Sequence, residues 1–281
     1  MMDNAHACGI GPGSQPAEED GGKLEFMELP KEMVTYAAPL LPEKEEIAGL
    51  EPALQLLGKL VDGLAGWKPG APNPVHDLAD LDEANLRLID QALGEGEVSI
   101  ISGAHVQAQE SVLAGVWRVR TTGPDGRMVR DHIEIGGFPA GILADAFLNR
   151  QERTMVPPLN DDVFNAPALL VEIDEHIANV GPGVVPHVIN LSLLPHTEGD
   201  LLWLIEAMGE GNLIILSRGY GNCRVTSTGT KNVWWVRFYN STDDLILNTI
   251  EITPLPEVVV AAPEDIQDSH ERLVEILKVY Q

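Results

Sequence analysis

The chain has 281 residues, 44% of them hydrophobic, and a mean hydropathy of -0.01. That is enough apolar surface for a large core and argues against wholesale disorder. Its 18 basic and 43 acidic residues leave a formal net charge of -25, which repels nucleic acid and anionic lipid and attracts basic partners. The two cysteines, Cys8 and Cys223, make no disulfide framework. No apolar run approaches the roughly 18 to 20 residues of a membrane helix, and the first residues lack the basic and apolar regions of a secretory leader. The expectation is a cytoplasmic protein without stable membrane insertion.

Residues 1–50 read as an extended, flexible arm. Gly9, Gly11, Pro12, Gly13 and Pro16 precede Glu18, Glu19 and Asp20, with little apolar surface to offset ordering. Helical spacing begins near Glu51, with Pro52 suited to a first turn and Leu54, Leu57, Leu60, Val61 and Leu64 recurring. A second helix is predicted to start at a capping Asp82 and to stop at Gly94-Glu95-Gly96. Strands are predicted at Val98–Ser102, Val116–Thr121 and Arg130–Ile135.

The pattern then recurs. Pro52-Ala53-Leu54 matches Pro167-Ala168-Leu169, and Leu93-Gly94-Glu95-Gly96 matches Met208-Gly209-Glu210-Gly211, both at an offset of 115. Val116-Trp117 matches Val233-Trp234, and Ile133-Glu134-Ile135 matches Ile250-Glu251-Ile252, at 117. The expected fold class is therefore α+β, a tandem duplication of a helix–helix–antiparallel-sheet unit. The expected boundaries are a first repeat at 51–141, a connector at 142–165, a second repeat at 166–258 and a closing helix within 259–281. The two units are expected to be related by an approximate two-fold.

The window Leu213 to Thr242 contains no Asp or Glu, yet holds Arg218, Arg224, Lys231 and Arg237. Gly219 and Gly221 could present Tyr220 at an exposed tip; the alternative is a glycine-adjusted hairpin with Tyr220 packed inward. Trp234 and Trp235 are adjacent in a strand and so face opposite sides of the sheet. One fills a core, and the other meets water, the sister repeat or a partner. Arg218, Tyr220, Asn222, Arg224, Trp234 and Trp235 are the candidate partner-binding residues. Cys223 has neighbouring arginines that could lower its pKa, but nothing supplies a second sulfur at metal spacing, so it reads first as a small buried residue. Glu172 and His176 share a helical face without a zinc motif. No nucleophile elbow, phosphate loop or dinucleotide fingerprint occurs; the expectation is no catalytic residue, no metal and no cofactor.

Ser217-Arg218-Gly219-Tyr220-Gly221-Asn222-Cys223-Arg224, Asn232-Val233-Trp234-Trp235-Val236, Tyr239-Asn240 and Leu247-Asn248-Thr249 resemble the C-terminal signature of the HupH (HyaF) family of hydrogenase expression and formation proteins. Gly11-Pro12-Gly13-Ser14-Gln15-Pro16 and Met33-Val34-Thr35-Tyr36 resemble that family's N-terminal stretch. The resemblance implies an accessory chaperone for uptake [NiFe] hydrogenases, not an enzyme. Its implied partners are the iron–sulfur small-subunit precursor, held before twin-arginine export, and other hydrogenase accessory proteins. The alternative it leaves is a carrier or scaffold for iron–sulfur or metal delivery, with Cys8 and Cys223 as ligands.

Overall fold

A computed structural model describes residues 49–181, 183–218 and 222–279. Residues 1–48 of the predicted arm, and Gly219, Tyr220 and Gly221, lie outside the described residues. Among the described residues there are six α-helices and ten strands. The first group is α1 (Glu51–Gly66), β1 (Val75–Asp77), α2 (Glu83–Leu93), β2 (Val98–Ser102), β3 (Val106–Glu110), β4 (Val116–Thr122), β5 (Met128–Ile135) and α3 (Ala140–Ala146). The second is α4 (Ala166–Ile177), β6 (His187–Asn190), α5 (Glu198–Met208), β7 (Glu210–Ser217), β8 (Asn222–Thr228), β9 (Val233–Tyr239) and β10 (Leu245–Ile252), followed by α6 (Pro263–Lys278). The expected helices and three first-half strands are present; β1, β3 and β6, too short or too polar to read from pattern, are additions.

Local chemistry sets the helix ends. Asp82 caps α2 by accepting from the Asn85 N–H, and Thr197 and Asp200 form a capping box on α5. The repeated Gly-Glu-Gly acquires a cause. Gly94 and Gly209 take positive φ to end α2 and α5. Gly96 and Gly211 run so close to the next strand that a Cβ would strike the Ser111 carbonyl or the Ser227 side chain and backbone.

All ten strands form one antiparallel sheet in the order β1-β5-β4-β3-β2-β7-β8-β9-β10-β6. From either edge the strands run in the same sense, β1-β5-β4-β3-β2 and β6-β10-β9-β8-β7. The halves join at β2–β7, where Ile100 pairs with Ile215, and 100 + 115 = 215. At this one pair a residue faces its own counterpart across the seam; on either side of it Val98 pairs with Ser217 and Ser102 with Leu213.

The sheet has two unequal faces. On the front face α1, α2 and α6 cover β4 and β5 at one end, burying Val116, Ile133 and Ile135. At the other end α4 and α5 cover β9 and β10, burying Val233, Trp235, Ile250 and Ile252. The back face carries the central core, with Ile100, Trp117, Val119, Ile215, Val225, Trp234 and Val236 beneath Phe138, Ile142 and Val259. The closing helix α6 contributes Ile266 and Leu273 to the first half's core, although it follows the second half in sequence.

Candidate functional site

The middle of the front face lies between the two helical ends. Alternation sends Ile100, Ala108, Ile215 and Val225 to the buried back, and Ile101, Gln107, Leu216 and Arg224 forward. Ile101, Gln107 and Arg224 are exposed, and Ile214, Leu216, Thr226 and Arg237 are partly exposed. The floor of this strip is strands β2, β3, β7 and β8, whose backbones are already paired on both sides. A partner could bind it only through side chains.

Arg224 of β8 and Arg237 of β9 stand directly opposite each other. Like charges so placed repel, and neither has a carboxylate partner among the described residues. The Arg237 Nε is buried and finds no hydrogen-bond partner there. Its guanidinium lies 5.8 Å from the centre of the Trp235 ring, a cation–π contact.

The positions of the first half that match by offset are arranged differently. The two extra residues of the second half fall in the β7–β8 hairpin: Ser102 pairs with Val106, but Ser217 pairs with Cys223. Beyond it the offset is 117, so Gln107 corresponds to Arg224, Arg118 to Trp235, Arg120 to Arg237 and Asp131 to Asn248. Arg118 donates from Nε and Nη2 to Asp131 at 2.9 and 2.7 Å, and also bonds Asp90. Arg120 Nε lies 3.7 Å from the same Asp131 carboxylate. In the second half Trp235 donates its Nε1–H to Asn248 Oδ1. An amide stands where the first half has a carboxylate, so Arg237 lacks the acid that Arg120 has, and Arg224 stands where the first half has Gln107.

The predicted residues fall in different places. Arg218 and Asn222 are exposed at the β7–β8 hairpin, where the Arg218 backbone N–H donates to the Glu97 carbonyl at 3.1 Å. Arg224 is exposed on the front strip. Trp234 is 0% exposed on the back, donating to the Thr253 carbonyl at 3.0 Å, and Trp235 is 8% exposed under the second helical layer. Both rings are buried: Trp234 lies in the back-face core to which both halves contribute, edge-on to Phe147 with ring centres 5.0 Å apart, and Trp235 lies in the second half's own core. Arg237 and Asn248, named in the acid-free window and in the resemblance, are not among the candidate partner-binding residues read from the sequence. Strand alternation two residues past Trp235 carried the signal for Arg237.

Behind the strip, on the back face, lies a cavity of about 260 Å³ lined by Glu97, Glu110, Cys223, Phe238, Val259 and Asp265 among others. Cys223 is buried, and burial together with Glu251 pushes its thiol up to about 12. It is a poor thiolate at neutral pH. Burial also raises Glu110 to about 7, against the lowering effect of the Gly115 N–H that it accepts, with Glu97 and Asp265 adding to the rise. No group of three or more His, Cys, Asp or Glu among the described residues is placed to hold a metal. No helix among them is long and apolar enough to cross a membrane.

These features define an α+β protein built on one continuous antiparallel sheet, with a basic strip left open between two helical layers. The family model for the HupH hydrogenase expression protein, C-terminal conserved region, matches residues 50–147 and 163–280. The chain is 48% identical over 284 residues to the hydrogenase expression/formation protein HupH of Rhodobacter capsulatus, covering 99% of each chain. It is 46% identical over 272 residues to HoxQ of Cupriavidus necator, covering 96% of this chain and 95% of that one. It is 33% identical over 273 residues to the hydrogenase-1 operon protein HyaF of Escherichia coli K12, covering 95% and 94%. A solved structure of a HupH hydrogenase expression protein from Thiobacillus denitrificans aligns with a TM-score of 0.38 and 31% identity, covering 41% of this chain and 95% of that one. The chain belongs to the HupH family of hydrogenase expression proteins.

Proposed function

We propose that the protein is a non-catalytic accessory chaperone of hydrogenase maturation that holds the iron–sulfur small-subunit precursor before its export. The observation that carries this reading is the uncovered middle of the front face, a side-chain-only docking strip in a chain whose relatives are named for hydrogenase expression and formation. The acidic remainder of the molecule supplies long-range attraction to a basic leader, which raises association rates and is screened by salt. The strip supplies the short-range hold. Tyr220, between Arg218 and Asn222 in sequence, is assigned to the same proposed contact. The alternative of a cluster or metal carrier would use Cys223 as a ligand, and its burial weighs against that role. We further read the two halves as a duplication of one unit, at 51–141 and 166–258. The matching strand sequence from each edge and the family match to both segments support this.

The test is association of purified small-subunit precursor with the full chain at low and high salt. Association should slow with salt, and Arg218→Ala and Tyr220→Ala should mainly speed dissociation. Absence of any precursor binding at low salt overturns the reading.

A further inference from the structure

Among the described residues, Arg224 and Arg237 stand apart from the other arginines seen on the sheet. Arg118 and Arg120 share Asp131, and Arg130 has Asp77 at 3.6 Å. In a chain of net charge -25, two guanidiniums left side by side without an acid are exceptional. They are directly opposite across β8 and β9, and one of them carries a buried, unpartnered Nε. An unmet charged donor is costly, and a charge-assisted bond to an anion removes that cost. We propose that Arg224 and Arg237 are a carboxylate receiver: they bind an Asp or Glu side chain of the partner protein, which brings from outside the acid that Asp131 gives Arg120 in the first half.

The surroundings select this chemistry. The field of the whole molecule disfavours polyanions such as nucleic acid, whereas a single carboxylate set among apolar residues meets two cations beside Ile214, Leu216 and the exposed Ile101. The fork of a guanidinium matches a carboxylate edge-on, and two adjacent forks span its oxygens. Asn248 holds the position from which the first half supplies its own acid. The second half has in effect left that acid to be brought by the partner. Paired backbones on both sides of β8 rule out strand addition, so recognition passes through this side-chain contact.

The proposal rests on the chaperone reading only for the identity of the partner, and its first test does not use that partner. Sodium glutarate is titrated into the ¹⁵N-labelled full chain at constant ionic strength, with sodium chloride as the control. The Arg237 Nε–H resonance should shift saturably with glutarate and not with chloride. Arg224→Gln, which installs the residue of the first half, should weaken the response about tenfold. Asn248→Asp, which supplies the acid internally and can still accept from Trp235 Nε1, should abolish it. A shift no larger than that from chloride, or an unchanged response in Asn248→Asp, overturns the receiver. A tighter response to phosphate than to glutarate overturns the carboxylate assignment. In the second arm the same two variants should release the small-subunit precursor faster than the native chain. If glutarate binds and the precursor does not, the receiver stands and the partner assignment falls.

Discussion

Arg118 in β4 and Trp235 in β9 occupy corresponding places in the two halves, beneath corresponding helices, and do opposite things. Around Arg118 the first half closes on itself, with Asp90 and Asp131 bonded to one guanidinium and Arg120 leaning on the same acid. Around Trp235 the second half has turned that polar cluster apolar. The indole is buried and its Nε1–H is taken by Asn248, so the neighbouring arginine is stranded. The strand order from the edge is the same in both, and each buries a tryptophan on the back face. What differs is whether charges are satisfied within the molecule or left for something outside it. The half that neutralises itself offers no unmet charge there; the half that keeps two facing arginines is the one to which the proposed partner contact is assigned.

The largest effect tests what the halves share. Trp117 and Trp234 are each 0% exposed and donate to the carbonyls of Gly136 and Thr253, and 136 + 117 = 253. Trp117→Ala and Trp234→Ala should each cost about 3–5 kcal/mol in urea unfolding. Costs differing by more than about 2 kcal/mol would mean that the back-face cores are not equivalent.

Glu110 sharpens the difference, because Ser227 stands in its place in the second half. Its folded pKa of about 7 lies above the usual carboxylate value, so the folded state holds a proton that the unfolded state has released. Stability from this group is fully present below about pH 4.5 and is lost as pH rises through about 7, by up to about 3 kcal/mol. Glu110→Gln should flatten the unfolding free energy across that window. An unchanged pH profile would show that Glu110 is solvated.

Asp131→Asn makes the first half resemble the second. It strips Arg118 of one partner and Arg120 of its only acid among the described residues, and should destabilise by about 2 kcal/mol, read as a lowered thermal midpoint. If Asp131→Asn is neutral, the self-neutralised cluster contributes nothing and the contrast with Asn248 loses its force.

The smallest effect lies in the second half. Arg224→Gln relieves a like-charge pair and should stabilise the free protein by about 0.5 kcal/mol at low salt, with the gain vanishing at high salt. Destabilisation instead would mean that Arg224 is paired in the free protein.

Much of this was legible in the sequence. Helical spacing, capping residues and β-branched runs placed α1, α2, α6 and the strands β2, β4 and β5 within a few residues, because those signals are local. The constant offsets announced corresponding halves, and the acid-free window pointed to β7–β9 and to Arg224. Only the tertiary structure decided that β2 and β7 pair, which fuses the halves into one sheet. It also decided that α6 returns to cover the first half, and that helices cover both ends of the front face but not its middle. Alternation says which residues share a face, as with Arg224 and Thr226. It does not say which face a helix will cover or which strand lies alongside. Trp235 and Arg237 share one face of β9, and the sequence could not tell that a helix layer buries the first while the second is left at its margin without an acid. That outcome depends on Asn248, eleven residues away across a cross-strand pairing, and non-local pairing is set by the packing of the whole chain.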